Sequence, residues 1–135
     1  MKKIISILKC FLLAFLVAGC AVTAEQLKKM PEEQLFYRSD PDTNWMNTGE
    51  IQSRRQEIIN RHPEWPDLIK EDILNGRVRI GMTAYQAQAS WGIPNDISHT
   101  ATVLGSSETW IYNQGGYKYA FLCFDGNGIL TSSHT

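Results

Sequence analysis

Cys123 and three histidines, His62, His99 and His134, are the residues of the folded part that could support nucleophilic chemistry. A thiol–imidazole dyad needs its two groups about 3 Å apart. If the glycine-rich stretches near residues 105, 115 and 126 are two-residue turns, His134 opposes Tyr119, four residues along a strand from Cys123, or ~13 Å at ~3.4 Å per residue. His99 lies two strands away and His62 ends a helix, so the spacing predicts no dyad. No Cys or His spacing matches a zinc site. The acidic pairs Glu32-Glu33 and Glu71-Asp72 are adjacent in sequence and diverge, which predicts solvated surface instead of an acid/base pair. The glycine-rich stretches join strand to strand and lack the helix N-terminus that cradles a phosphate. The expectation is a non-enzyme with no cofactor, no metal and no small-molecule substrate.

A different chemistry is predicted at the start of the chain. Met1-Lys2-Lys3 is a positive n-region, and the uninterrupted apolar run from Cys10 to Gly19 is well short of the 18 or more residues that cross a bilayer. The run ends Leu16-Val17-Ala18-Gly19-Cys20, which resembles a lipobox, with cleavage before a cysteine whose thiol has been linked to a diacylglycerol. Residues 1–19 are then a lipoprotein signal peptide and Cys20 is the lipidation site. Two acyl chains suffice for stable attachment at ~0.8 kcal/mol per buried CH₂. Ala21, where an aspartate would favour the inner membrane, predicts lipid anchoring on the periplasmic side of the outer membrane.

Cleavage leaves 116 residues, enough for one domain. It removes Lys2, Lys3 and Lys9, leaving ten basic against fourteen acidic residues. A net charge of about −4 argues against nucleic acid as a partner. Residues 20–47, with Pro31, Pro41 and paired charges, read as a lipidated N-terminus and tether with an r.m.s. reach of about 30 Å if flexible. Leu27, Leu35, Phe36, Tyr37 and Trp45 are more apolar than a free linker needs. Residues 48–135 are the folded domain.

In that domain, helical periodicity runs from Thr48 to His62-Pro63, with Ile51, Ile58 and Ile59 on one side. A second helix follows Pro66 and stops at Gly76. A third starts at Thr83, whose spacing to Gln86 fits a capping box, and leaves through Gly92 and Pro94. Alternating segments at about 96–104, 107–112, 117–124 and 129–133 are strands, and connections this short require an antiparallel meander. The predicted fold class is α+β, with two to three short helices on one face of a three- to four-stranded antiparallel sheet.

Two-residue turns at Gly105-Ser106, Gln114-Gly115 and Gly126-Asn127 give an aliphatic face (Ile111, Ala120, Leu122, Phe124 and Ile129 among it) for the helices. They give an aromatic face carrying His99, Trp110, Tyr112, Tyr119 and Phe121, with Cys123 and Leu130. Those five are the candidate protein-binding residues, either open to a partner or covered by residues 24–45.

The segments Ile80 to Ala87, Trp91-Gly92-Ile93-Pro94, Glu108 to Tyr112 and Phe124 to Thr131 resemble the SmpA/OmlA domain, the family of BamE-like lipoproteins. The resemblance covers about residues 77–133. It implies a helix layer on one antiparallel sheet, a shape shared with β-lactamase-inhibitory proteins, and a role in outer-membrane protein assembly or envelope integrity through another envelope protein. The strand from Asp96 to Leu104 and the longer helical section before Gly81 depart from the family's minimal form, and none of its partner-binding residues is carried over. The alternative is an inhibitor-type or stress-response lipoprotein that blocks an envelope enzyme.

Overall fold

A computed structural model of the chain describes residues 22–37 and 48–135. The signal peptide, Cys20 and Trp45 lie outside the described residues. Five helices precede four strands: α1 (Ala24–Lys29), α2 (Glu32–Leu35), α3 (Thr48–Arg61), α4 (Asp67–Leu74), α5 (Ala84–Trp91), then β1 (Asp96–Thr102), β2 (Gly105–Gly115), β3 (Lys118–Asp125) and β4 (Leu130–His134). The strands form one antiparallel sheet in the order β1-β2-β3-β4. This is the expected α+β meander, with two extra helices drawn from the segment read as a tether.

Local chemistry sets the helix ends. Thr83 caps α5: its hydroxyl accepts from the Gln86 amide, and the Gln86 side chain accepts from the Thr83 amide at 3.0 Å. The two orphan donors of the first turn are thereby satisfied reciprocally. Thr23 and Gln26 do the same for α1. Gly92 ends α5 at φ +81, and a Cβ there would meet the Tyr37 carbonyl oxygen at 2.3 Å. Glycine is needed twice at that position, for the backbone conformation and for contact with the N-terminal segment, since the Ile93 amide donates to that same carbonyl at 2.7 Å.

The helices cover one face of the sheet. Trp110, Tyr112, Ala120, Leu122, Phe124 and Leu130 point toward them and join Ile58, Ile59, Ile73, Met82, Ala87 and Ala89 in the core. The segment Gly81–Thr83 runs beside β4 as a short extra edge: Gly81 N–H donates to Leu130 O at 2.9 Å, Leu130 N–H to Met82 O at 2.8 Å, and Thr83 bridges Ile129.

Register corrects the expected faces. The β2–β3 turn is Gly116-Tyr117, closed by Gly115 opposite Lys118, with a bulge between Asn113 and Gly115. Gly116 and Tyr117 both have positive φ, as a type I′ turn requires. Moving the turn from Gln114-Gly115 to Gly116-Tyr117 is an even slip and by itself keeps the expected faces. The bulge between Asn113 and Gly115 adds the odd residue that exchanges the faces of β2 relative to β3 and sets Trp110 opposite Leu122 and Tyr112 opposite Ala120. The first turn is Val103-Leu104, closed by Thr102 opposite Gly105 and braced by the Leu104 amide on the Thr102 hydroxyl at 3.2 Å. That slip is even and leaves the relation of β1 to β2 as expected. A bulge in the β3–β4 ladder, between Cys123 and Phe124, turns Leu130 inward.

Residues 22–37 form a strap on the helices. Leu27 and Leu35 are buried in the core, and Phe36 meets Tyr85 edge-on at 5.2 Å. A leucine in each short helix is too few for a visible period but enough to pin both. The described residues of the 24–45 segment therefore lie on the helical layer and leave the outer sheet face uncovered.

Candidate binding surface

The structure divides the five surface candidates. Trp110 and Tyr112 are core residues, 6% and 2% exposed; Trp110 lies 4.6 Å from the Phe124 ring, and Tyr112 meets Trp91 edge-on and donates to Gly92 O. Burial pushes the Tyr112 hydroxyl well above its ordinary pKa. Tyr119 and Phe121 stand on the outer face, 48% and 37% exposed, beside half-buried Ile111 and Cys123. His99 is exposed on β1, on the same side as Trp110, with Nδ1 3.3 Å from Glu108 Oε1.

Cys123 has the Thr109 hydroxyl at 3.8 Å. His134 pairs with Phe121, nearer to Cys123 than expected yet still about 7 Å away along the strand. Among the described residues no group of three or more His, Cys, Asp or Glu could hold a metal ion. No described helix is long and apolar enough to cross a membrane.

Sequence reasoning missed the polar network between strap and helices, most of it carried by α3 and the turn after it, with Tyr85 and Ser90 of α5 completing it. Arg54 is buried, bonds Glu50 at 2.9 Å and donates to the Gln34 carbonyl at 2.5 Å. Arg55 donates to Tyr37 Oη and to Ser90 O at 2.8 and 2.6 Å, while its Nε is buried without a partner. Arg61 donates to the carbonyls of Leu27 and Met30 at 2.9 and 3.0 Å, placing a cation at the C-terminal end of α1. His62 stacks on Trp65 and lies between two carboxylates, Nε2 2.7 Å from Glu32 and Nδ1 2.9 Å from Glu64. The Tyr85 hydroxyl donates to that same Glu32 oxygen.

Neither expected solvated acidic pair fits that description. Glu32 is the strap's partner for His62 and Tyr85, and Asp72 is 2% exposed, held by Arg79 Nε at 2.6 Å and Arg77 Nε at 3.1 Å. The Arg79 bond above all keeps the Asp72 carboxyl below its usual range. One member of each pair faces inward because adjacent helical residues diverge. The signal available in the sequence was the Glu50/Arg54 and Glu57/Arg61 spacing, with Glu four residues before Arg.

No family model, curated protein or solved structure matches this chain.

Proposed function

We propose that this chain is a non-catalytic lipoprotein, anchored through a diacylglycerol on Cys20 to the periplasmic face of the outer membrane, that binds another envelope protein in outer-membrane protein assembly or envelope integrity. The observation that carries the reading is Leu16-Val17-Ala18-Gly19-Cys20 at the end of a ten-residue apolar run too short to span a bilayer. The resemblance of residues 77–133 to the SmpA/OmlA domain agrees with it. The strap adds a spatial consequence: Thr23 caps a helix pinned by Leu27, and three residues of chain reach at most about 10 Å, so the lipid holds the domain against the membrane and not at the end of a 30 Å tether. The outer face with Tyr119 and Phe121 supports the binding role, since aromatic side chains anchor interfaces at low entropic cost.

One feature favours an inhibitor of an envelope enzyme instead. Val103 and Leu104 stand fully exposed at a hairpin tip, a shape that enters a cleft. Affinity purification with the anchor intact separates the two: barrel-assembly subunits at stoichiometric yield support the first reading, and a hydrolase the second. Fatty-acid labelling that persists in Cys20→Ser would refute the anchor.

A further inference from the structure

The two edges of the sheet are treated differently. On β4, the first residues are paired by the Gly81–Thr83 segment and the ladder is bulged. On β1, all seven residues are exposed and no described element lies beside the outer edge. Natural sheets blunt such an edge with lysine, proline, a bulge or a very short strand. β1, Asp96-Ile97-Ser98-His99-Thr100-Ala101-Thr102, has none of these and pairs with β2 in unbroken register over its full length.

The direction of the free backbone groups follows from the turn. With Val103-Leu104 as a two-residue loop, Thr102 and Gly105 are the closing hydrogen-bonded pair, so Thr100 and Ser98 also spend their N–H and C=O on β2. Ile97, His99 and Ala101 turn theirs to the open edge, where the Ile97 N–H donates to the neighbouring Asp96 Oδ1 at 2.9 Å while those of His99 and Ala101 are free for a strand. An added antiparallel strand must set its own outward-facing residues opposite these three.

We propose that the occupant is a second copy of this chain, with β1 pairing antiparallel to its counterpart about a two-fold axis at His99 to give a continuous eight-stranded sheet. The sequence of β1 is self-complementary in that register. Ile97 faces Ala101 of the other copy on the helix side, and Ser98 faces Thr100 on the outer side. Asp96 faces Thr102, so the only carboxylates on the strand lie at opposite ends, roughly 20 Å apart. Each His99 rests against Glu108 of its own chain, so the axis joins two imidazole–carboxylate pairs. Three residue pairs exchange two bonds each: about four use free edge N–H groups, and the other two form as the Ile97 N–H of each copy exchanges its Asp96 carboxylate for the new strand. A contact in which the same patch meets itself closes at two copies, which suits a molecule whose other edge is partly occupied and bulged. The proposal does not depend on the lipid anchor.

The test is disulfide trapping of the full chain in intact cells, in a Cys123→Ser background. His99→Cys places two thiols across the axis, and mild oxidation is expected to convert more than half of the protein to a dimer, while the parent and Ser133→Cys, on the opposite edge, give none. Adding Ala101→Pro removes an edge N–H that bonds nothing within the chain, and Ile97→Lys supplies the missing charge guard; each should reduce the trapped dimer at least tenfold with the melting temperature kept. A monomer only, a cross-link to a different protein, or a dimer indifferent to both edge substitutions would overturn the proposal.

Discussion

The N-terminal strap and β1 with its Val103-Leu104 turn both lie outside the central packing of α3–α5 on β2–β4, and they are secured in opposite ways. The strap has two short helices with little stability of their own. It buries Leu27 and Leu35 and is gripped by Arg54, Arg55, Arg61 and His62, which bond its carbonyls, its Tyr37 hydroxyl and its Glu32 carboxylate. β1 has strong local order, with seven residues paired to β2, and almost no tertiary cover. A segment without intrinsic structure is bolted down, whereas one that supports itself through a ladder is left with an open edge and an apolar tip. The polar network thus serves stability, and the open edge of β1 is where the proposed self-association would form.

The largest expected effect separates the two faces of the sheet itself. Trp110→Ala removes a buried aromatic and should cost about 3 to 5 kcal/mol. Tyr119→Ala, on the outer face of β3, should stay within about 0.5 kcal/mol. Urea unfolding of both variants checks the contrast. Equal losses would mean that the outer face is packed and that the register argument fails.

The strap comes next. Arg54→Ala removes the buried guanidinium that bonds the Gln34 carbonyl and pairs with Glu50, and should cost about 3 kcal/mol. If the strap is an integral layer, the whole domain loses this stability in one transition. Amide exchange that rises only in residues 23–37, with the global midpoint unchanged, would make it a detachable arm.

Thr83→Ala is smaller, about 1 kcal/mol, because the lost hydroxyl satisfied a single amide at the start of α5. That would lower the melting temperature by several degrees in a domain of this size. A stable variant that loses partner binding would move Thr83 from the framework to the interface.

The elements legible in the sequence were those whose signals are local. Thr83 with Gln86 and Gly92 each encode their structure within a few residues and stand where the pattern put them, and the four strands form in the expected antiparallel order although their first two turns are shifted. Two things were not legible. The register of β2 on β3 depends on a one-residue bulge between Asn113 and Gly115, which no choice of two-residue turn replaces and which is set by burying Trp110 and Tyr112, a tertiary event. The strap network was hidden because Arg54 and Arg55 interrupt the apolar side of α3 and read as surface, while their partners lie 18 to 35 residues away in the chain. Only folding brings Glu32, His62 and Tyr85 together.

That trio gives the smallest and most specific prediction, a pH dependence of strap closure. His62 faces Glu32 on α2, Glu64 in its own turn and Tyr85 on α5, with Arg61 and Lys70 as the nearby cations. Partial burial is the largest single influence and disfavours its charge, but hydrogen bonds to Glu32 and Glu64 and the charges of both carboxylates together outweigh it, so its pKa lies above the usual 6.5. Glu32 moves the other way: the Tyr85 bond lowers its pKa most, burial opposes that, and His62 adds to the lowering, leaving it below 4.5. A raised histidine contributes stability in full below its unfolded value and loses it as pH climbs through the folded one; a lowered glutamate contributes above its unfolded value and loses it as pH falls. The clasp is therefore tightest between about 4.5 and 6.5, by less than about 1 kcal/mol, because the pair is partly solvated. Melting temperatures of wild type and His62→Gln, compared from pH 5 to 8, should differ at the acid end and converge as pH rises. A gap that is constant or widens with pH would show that His62 acts through its stack on Trp65 and not through charge, and the strap would then be held by the arginines alone.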